Sequence, residues 1–314
     1  MKITSSQSNN ENTLSSHSGT VALIGRPNTG KSTLLNTILG KKISIVSRIP
    51  QTTRFIIRGI LNRPSGQIVF LDSPGIHTSK SHLGKKLNIS AEETARGVDL
   101  TLYLVDLHRR PGQEETRILH LLESLDTPFL VGMNKIDKGK GYVDEYMRLF
   151  QTLSFTDRLK SYIPVSALSG KNCEEIVAAI FEYLPAGPPI YPPEWSDGLS
   201  ARIMTADLIR EKLLKYLKKE IPHEIAVLVK ELEDDPDKPG LVQIYADIFV
   251  IRKSQKGIVI GNKGTALKQI GTEAREDMEK FFNKKVYLNL FVRVHPNWMR
   301  DPEILRQMGY FDVP

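Results

Sequence analysis

The sequence is poor in the features that mark secreted or membrane-spanning proteins. Cys173 is the only cysteine in 314 residues, which excludes an intramolecular disulfide and suits a reducing compartment. No apolar run approaches the roughly 18 residues of a membrane span. Residues 1–18 lack the apolar stretch of a secretion signal and are rich in Ser, Asn and Thr, so we expect a disordered tail. The seven histidines have no metal-ligand spacing. We therefore expect a cytoplasmic protein.

The charge of the chain is basic and unevenly distributed. The net charge is +7, and the stretch 250–300 alone holds eleven Lys or Arg residues against four acidic ones. A local excess of this size is typical of a surface that meets a polyanion. On charge alone, a solvated charged face is the competing interpretation. A basic protein can also contact an anionic membrane surface, although no amphipathic anchor stands out.

The length of 314 residues and a proline-rich stretch predict two domains. Five prolines fall within residues 185–193, where they exclude helix and favour an extended, semi-rigid connection. We predict an α/β domain at 19–184, a linker at 185–200, and a smaller α+β domain with a C-terminal tail at 201–314.

A glycine-rich stretch near the start fits the phosphate-binding pattern G-x-x-x-x-G-K-[ST]. The apolar run 21–24 before it predicts a strand, and the periodic Leu and Ile residues after it predict a helix. The loop N–H groups would face phosphate, Lys31 can reach the terminal phosphates, and the Ser32 hydroxyl can ligate Mg²⁺. The candidate residues are Gly25, Arg26, Pro27, Asn28, Thr29, Gly30, Lys31, Ser32 and Thr33.

The sequence N-K-I-D at residues 134–137 follows an apolar run that predicts a central strand. N-K-x-D is the guanine-reading signature of GTPases. The Asp137 carboxylate can accept hydrogen bonds from the ring N–H and the exocyclic amine of guanine, a pair that adenine does not offer. We expect the N–H of Ala167 to meet the base oxygen. The candidate base-binding residues are Asn134, Lys135, Asp137, Ser166, Ala167 and Leu168.

Two further elements lie between these motifs. D-S-P-G at residues 72–75 ends a predicted strand and fits D-x-x-G, in which Asp72 would hold Mg²⁺ through water and the Gly75 N–H would sense a γ-phosphate. Ser73 and Pro74 complete this element. Between the first predicted helix and the strand predicted at 55–60, a threonine would ligate Mg²⁺ only when a γ-phosphate is present. We favour Thr53 over Thr52. Ordinary β-propensity is the competing explanation of both threonines.

The second domain has the predicted order α-β-β-α-α-β. Thr205 is expected to cap its first helix, and separate helices are expected at 265–270 and 272–282. Between helices lies G-N-K-G, a G-x-x-G loop of the kind that clamps about four nucleotides in KH domains. The candidate RNA-binding residues are Ile258, Ile260, Gly261, Asn262, Lys263, Gly264 and Lys268.

Taken together, these motifs resemble the bacterial Era family, in which a Ras-like GTPase domain precedes a KH domain. The resemblance covers nearly the whole chain past residue 18. It implies a mostly parallel sheet in the first domain and a type II KH domain in the second. It also implies GTP or GDP with Mg²⁺ as ligands, and binding of small-subunit ribosomal RNA near its 3′ end during 30S assembly. We further expect a monomer with peripheral contact to the inner membrane. Ser73 departs from the family's usual D-T-P-G.

The catalytic prediction turns on the residue after D-x-x-G. Ras-like enzymes often place a glutamine there to orient the attacking water, whereas this chain has Ile76. In similar GTPases an asparagine at the position of Asn28 helps to bind K⁺, which adds positive charge beside the phosphates. We therefore expect slow, K⁺-stimulated hydrolysis, with Lys31, Asn28, Thr53 and Gly75 as the catalytic residues. As a plain turn residue, Asn28 would have no such role.

The leading hypothesis is a GTP-driven switch, in which GTP binding shifts the KH domain and changes RNA affinity, and hydrolysis resets it. Two other functions compete with it. An RNA-binding module could hold guanine nucleotide as a structural ligand, and Ile76 makes this alternative reasonable. A metabolic P-loop kinase is the other alternative, but N-K-I-D argues against it and no acceptor site is visible in the sequence.

Overall fold

The computed structural model describes residues 16–47, 49, 52–78, 82–192, 200–217 and 221–309. The predicted tail therefore lies outside the described residues up to residue 15, and so does the linker from 193 to 199. His17 and Ser18 were predicted to end the N-terminal tail, but they begin the first strand. Among the described residues, no helix is both long and apolar enough to cross a membrane.

The first domain is built on a six-stranded sheet with the order β2-β3-β1-β4-β5-β6. Only the β2–β3 pair is antiparallel, so the predicted mostly parallel sheet is confirmed. Strand β4 is buried along its whole length, as expected of a central strand covered on both faces. The strands are β1 His17–Ile24, β2 Ile57–Arg63, β3 Gly66–Asp72, β4 Leu100–Asp106, β5 Phe129–Asn134 and β6 Leu159–Val165.

Helices cover both faces of this sheet and divide its core into two layers. One apolar layer holds residues of α1 and α5, and the other holds residues of α2, α3 and α4. The helices are α1 Lys31–Leu39, α2 His82–Arg96, α3 Gln113–Glu123, α4 Val143–Gln151 and α5 Cys173–Tyr183. Cys173 is buried in the first layer, in line with the small packing residue that the sequence suggests.

The start of the proline-rich linker lies against the first domain. Gly187 donates a backbone hydrogen bond to Ser16 O at 2.8 Å, and Ser18 donates one to Pro185 O at 3.0 Å. Gln67 Nε2 also donates to Tyr191 O at 2.8 Å. This half of the linker is therefore hydrogen-bonded to the chain at the amino ends of β1 and β3.

The second domain pairs helices with one face of the three-stranded sheet β7-β8-β9. Strands β7 and β8 are antiparallel, and β8 and β9 are parallel. Its elements are α6 Ala201–Tyr216, α7 Ile221–Glu224, β7 Ala226–Asp234, β8 Leu241–Val250, α8 Lys253–Ile260, α9 Thr265–Phe282, β9 Lys285–Val294 and α10 Pro302–Gln307. The order α-β-β-α-α-β is present, but its last two helices are α8 and α9, and the short helices α7 and α10 are added.

Two local predictions for this domain were wrong. Thr205 does not cap the first helix, because α6 begins at Ala201 and Thr205 is fully buried inside it. The two helices predicted around Gly271 are one continuous helix, α9. Only a Leu290 methyl would lie near a side chain at Gly271, so the glycine sits where α9 passes the sheet.

The two domains meet through α2 and the other face of the second sheet. Leu83 and Leu87 of α2 pack in one buried cluster with Phe249 and Trp298 of the second domain. At a separate contact, Lys42 Nζ of the first domain lies 3.0 Å from Asp277 of α9. An apolar contact and an ion pair thus connect the nucleotide-binding fold to the second domain.

Candidate nucleotide and nucleic-acid sites

The glycine-rich loop joins β1 to α1 at the carboxyl end of the sheet, where open α/β sheets bind ligands. It forms one wall of a cavity whose other walls come from residues 45–47, Thr52, Thr53 and Gly75. The cavity is lined by Pro27, Asn28, Gly30, Lys31, Ser32, Thr33, Ile45, Val46, Ser47, Thr52, Thr53 and Gly75. The predicted phosphate loop and the predicted γ-phosphate sensors therefore face the same space.

A buried cation and a buried carboxylate lie at this cavity. Burial lowers the pKa of Lys31 to about 8, and the attraction of Asp72 opposes that shift. Burial likewise raises the pKa of Asp72, against the attraction of Lys31 and hydrogen bonds from two serines. Lys31 Nζ donates to Gly25 O at 3.2 Å and to Arg26 O at 3.1 Å. The ammonium is thus held at the loop in a desolvated setting, where its attraction for phosphate is strong.

Three oxygen-bearing side chains converge beside Lys31. Ser32 Oγ donates to Asp72 Oδ2 at 2.6 Å and lies 3.0 Å from Thr53 Oγ1. Thr52 Oγ1 instead donates to Ile49 O at 2.6 Å, away from this cluster. The geometry therefore favours Thr53 over Thr52, as the sequence interpretation did.

Among the described residues, nothing donates a hydrogen bond to the buried Asp72 Oδ1. Two hydroxyls and a carboxylate oxygen without a partner are a donor set that suits Mg²⁺.

The D-S-P-G element passes close to the phosphate loop. A Cβ added at Gly75 would lie 2.7 Å from Pro27 N, so only glycine allows this approach. Ser73 Oγ donates to Leu23 O at 3.0 Å, which ties the element to β1. Ile76 is buried in the core and does not line the cavity.

The histidine after Ile76 does not lie at the surface. His77 is 7% exposed, and its Nδ1 lies 2.9 Å from Gly75 O. Asn88 of α2 accepts from His77 N and donates to His77 O. These hydrogen bonds fix the segment after Gly75 to α2. The side chain of His82 lies outside the described residues.

The outer side of the phosphate loop is held by a buried ion-pair network. Arg26 Nη1 lies 2.6 Å from Glu115 Oε1, and Arg26 Nε lies 2.7 Å from Glu114 Oε2. Glu115 is 1% exposed and also accepts from Gly112 N at 2.8 Å. The Arg26 side chain therefore points towards α3, so only its backbone is available to a phosphate. Sequence reasoning missed Glu115, since no motif marks it.

The base-binding motifs form a second cavity of about 280 Å³ that continues from the first. Asn134 joins its parts, because its Nδ2 donates to Thr29 O at 2.7 Å and its Oδ1 accepts from Ala167 N at 2.9 Å. The exposed Asp137 accepts from Ser166 Oγ at 2.6 Å. The cavity is lined by Asn28, Gly30, Thr33, Ser47, Asn134, Lys135, Asp137, Lys138, Ala167 and Leu168.

Two residues of the base cavity make further contacts within the protein. The N–H of Ala167 already donates to Asn134, so it can reach a base oxygen only by sharing or exchanging that bond. Lys135 Nζ donates to Asn28 O at 2.9 Å and pairs with Asp106 at 2.5 Å, which braces the phosphate loop from below. Asn28 itself has φ 66°, the conformation of a turn residue.

In the second domain, the G-x-x-G loop joins α8 to α9 as predicted. Next to it is an open groove of about 390 Å³ with an apolar floor and two cationic side chains, Lys268 and Arg275. The groove is lined by Gly264, Leu267, Lys268, Gly271, Thr272, Arg275, Leu288 and Leu290. Neither predicted isoleucine lines it. Ile258 is about half exposed, and Ile260 packs against the core.

Sequence reasoning missed several wall residues of these cavities. Ile45, Val46 and Ser47 line the phosphate cavity, and Arg275 lines the groove. None of them belongs to a short motif. Only the i, i+7 spacing from Lys268 to Arg275 on α9, which puts both on one helix face, could have indicated the second cation.

Comparisons with known proteins agree with this geometry. A family model described as "50S ribosome-binding GTPase" matches residues 20–135, and a KH-domain model matches residues 220–299. GTPase Era of Geotalea uraniireducens (strain Rf4) is 45% identical over 294 residues, covering 93% of this chain and 97% of that protein. GTPase Era of Alkaliphilus metalliredigens (strain QYMF) is 41% identical over 298 residues, covering 95% and 100%.

Two solved structures have the same two-domain fold. One is an Aquifex aeolicus Era variant bound to GDP·AlF4⁻, and the other is Era in complex with MgGDPNP and nucleotides 1506–1542 of 16S ribosomal RNA. Each gives a TM-score of 0.88 at 36% identity and covers 94% of this chain and 99% of the solved one.

Fold and site together define a Ras-like P-loop GTPase with a C-terminal KH domain. The full-length match to curated relatives makes the assignment more specific. The chain belongs to the Era family of GTPases.

Proposed function

We propose that this protein is a GTP-driven switch that binds small-subunit ribosomal RNA near its 3′ end through the KH groove and assists 30S assembly. The observation that carries the proposal is one continuous nucleotide site whose metal-binding edge is joined to the KH domain. Thr53 lies at that edge, and the neighbouring Arg54 donates to Ile225 O at 2.8 Å. A change at the γ-phosphate can therefore reach the RNA-binding domain without a long relay.

Ser32, Thr53 and Asp72 would hold Mg²⁺, and Asp72 would do so through water. When bound, the ion would neutralise charge that develops on the phosphates. Lys31 supplies a second positive charge, and the N–H groups of the loop and of Gly75 orient the γ-phosphate. Thr53 reaches its position only if residues 52–56 are ordered, so these residues would report the nucleotide state.

Slow hydrolysis follows from the buried Ile76. Its side chain cannot hold the attacking water, and in this structure it does not face the cavity. We propose that K⁺ beside Asn28 supplies part of the missing electrostatic stabilisation. The φ of 66° at Asn28 is compatible with this role, because it concerns only the backbone.

Potassium is expected to raise the hydrolysis rate at least about tenfold over sodium, a modest part of the 10³–10⁵ that an arginine finger contributes. The measurement is single-turnover GTP hydrolysis in KCl and in NaCl at equal ionic strength. Asn28→Ala should remove the difference. Equal rates in the two salts would show that K⁺ has no role here.

The KH groove is the proposed RNA site. Its apolar floor can accept unstacked bases, and Lys268 and Arg275 can contact phosphates. The solved Era complex with a 16S ribosomal RNA fragment supports the choice of RNA. We propose that the protein acts as a cytoplasmic monomer. The basic stretch 250–300 could also give it peripheral contact with the anionic inner membrane.

The test of the switch is RNA affinity in two nucleotide states. A labelled RNA with the sequence of the 16S 3′ end should bind with affinities that differ at least about fivefold between GDP and GDPNP, the lower end of typical coupling. Fluorescence anisotropy at fixed salt measures both. Buried Ile76 favours a second function, an RNA-binding module with a structural nucleotide, and equal affinities would support that function instead.

A further inference from the structure

Arg54 extends from the nucleotide site of the first domain into the KH domain. It follows Thr53 directly, and it is only 4% exposed. Its Nη1 donates to Ile225 O at 2.8 Å, and its Nη2 lies 3.5 Å from Pro222 O. Pro222 belongs to α7, and Ile225 joins α7 to β7. A charged side chain buried between domains is costly unless it is well hydrogen-bonded, so this position constrains the conformation of residue 54.

The turn that receives Arg54 is itself rigidly held. Trp298 is fully buried, donates from Nε1 to Glu224 O at 3.0 Å, and presents its ring 5.9 Å from the Arg54 guanidinium carbon. The Glu224 carboxylate in turn accepts from Gln255 Nε2. Gln255 Oε1 accepts from the N–H groups of Ile251 and Arg252, at the start of α8. This helix ends at the G-x-x-G loop.

We propose that Arg54 is a positioning residue through which the KH domain holds Thr53 in place for Mg²⁺ and the γ-phosphate. The proposal rests on the proposed role of Thr53. Arg54 itself touches no reacting group. The backbone at residue 54 is fixed by carbonyls of the other domain, and Thr53 is the adjacent residue, so the threonine is preorganised beside Ser32. The GTPase site is therefore completed by the second domain.

This arrangement predicts an effect specific to the triphosphate state. GDP lacks the γ-phosphate that brings Thr53 to the metal, so loss of Arg54 should leave the Mg²⁺ dependence of GDP binding unchanged. For GDPNP, loss of Arg54 would leave one or two residues around Thr53 without a fixed conformation. Because ordering this backbone costs free energy, the half-saturating Mg²⁺ concentration should rise about tenfold. Arg54→Lys keeps the charge but not the planar fork that reaches two carbonyls, and it should fall between wild type and Arg54→Ala.

The experiment is a Mg²⁺ titration of GDPNP and GDP binding to the full-length chain. The variants are Arg54→Ala, Arg54→Lys, Thr53→Ala and Lys42→Ala. The last removes other contacts between the domains, the ion pairs with Glu211 and Asp277, and serves as the matched control. The expected result is an increase for GDPNP alone in Arg54→Ala and Thr53→Ala, a smaller increase in Arg54→Lys, and none in Lys42→Ala.

Each other outcome contradicts a named part of the account. A shift in Thr53→Ala without one in Arg54→Ala would overturn the proposal and leave the role of Thr53 intact. Equal shifts for GDP and GDPNP, or an equal effect of Lys42→Ala, would mean general loosening of the domains and would also overturn it. No shift in Thr53→Ala would refute the assigned metal ligand, and the positioning role of Arg54 with it.

Discussion

Asp137→Asn is expected to weaken GTP binding by about 10²–10⁴-fold, since two hydrogen bonds to a charged acceptor are each worth about 1.5–3 kcal/mol. The carboxylate lies exposed at the base cavity, where it can accept from both guanine donors. An asparagine at this position keeps one acceptor but presents an NH₂ group to a guanine donor. Xanthine has a carbonyl at that position, which can accept from the NH₂ group.

The variant should therefore bind xanthosine triphosphate better than GTP. Competition of the two nucleotides against a fluorescent analogue measures the ratio. Recovery of affinity with xanthosine triphosphate is the internal control for folding, and the contact with Ser166 can persist because an amide oxygen also accepts. A preference for guanine that survives the substitution would mean that Asp137 does not read the base.

Gly264→Asp is expected to weaken RNA binding on the order of 100-fold or more, because a negative charge near a phosphate costs a few kcal/mol at an effective dielectric constant of about 20. The position is suited to this test. Gly264 has φ +81°, and an added Cβ would meet nothing within 4 Å. A Cβ at Gly261, in contrast, would lie 2.6 Å from Ala266 Cβ, so substitution there would disturb the fold itself.

Gly264→Asn is the matched control, because it has the same shape and backbone cost as aspartate without the charge. We expect Gly264→Asn to bind RNA much better than Gly264→Asp, and both to bind GTP like the wild type. Filter binding with a single-stranded RNA from the 16S 3′ end measures the first, and nucleotide titration measures the second. Equal RNA affinity in wild type and Gly264→Asp would exclude the G-x-x-G loop as a phosphate clamp.

The sequence predicted the parts of the site that local chemistry determines. The phosphate loop, N-K-I-D and D-S-P-G are each a short run after a strand, so their context could be recognised without the fold. The order of the elements brings these motifs together around the two nucleotide cavities. Thr53 was also preferred over Thr52, and in the structure it is the one that meets Ser32.

What the sequence did not show depends on contacts between distant segments. His77 is buried because Asn88 of α2 binds its backbone on both sides. Glu115 lies beneath the phosphate loop because Arg26 turns towards α3. From the sequence alone, Arg54 is an ordinary basic residue at a strand start, because its hydrogen-bond acceptors belong to the KH domain. Thr205 and Gly271 were assigned from local propensity, which packing overrides.

Coupling between the two ligands is the central claim, and calorimetry tests it most directly. GDPNP is titrated into the full-length protein with and without the 16S 3′-end RNA, and the RNA is titrated with and without GDPNP. We predict that each ligand changes the dissociation constant of the other by the same factor, at least about fivefold, as linkage requires. GDP should show a smaller effect. If neither dissociation constant changes, the nucleotide does not control RNA binding and the switch is refuted.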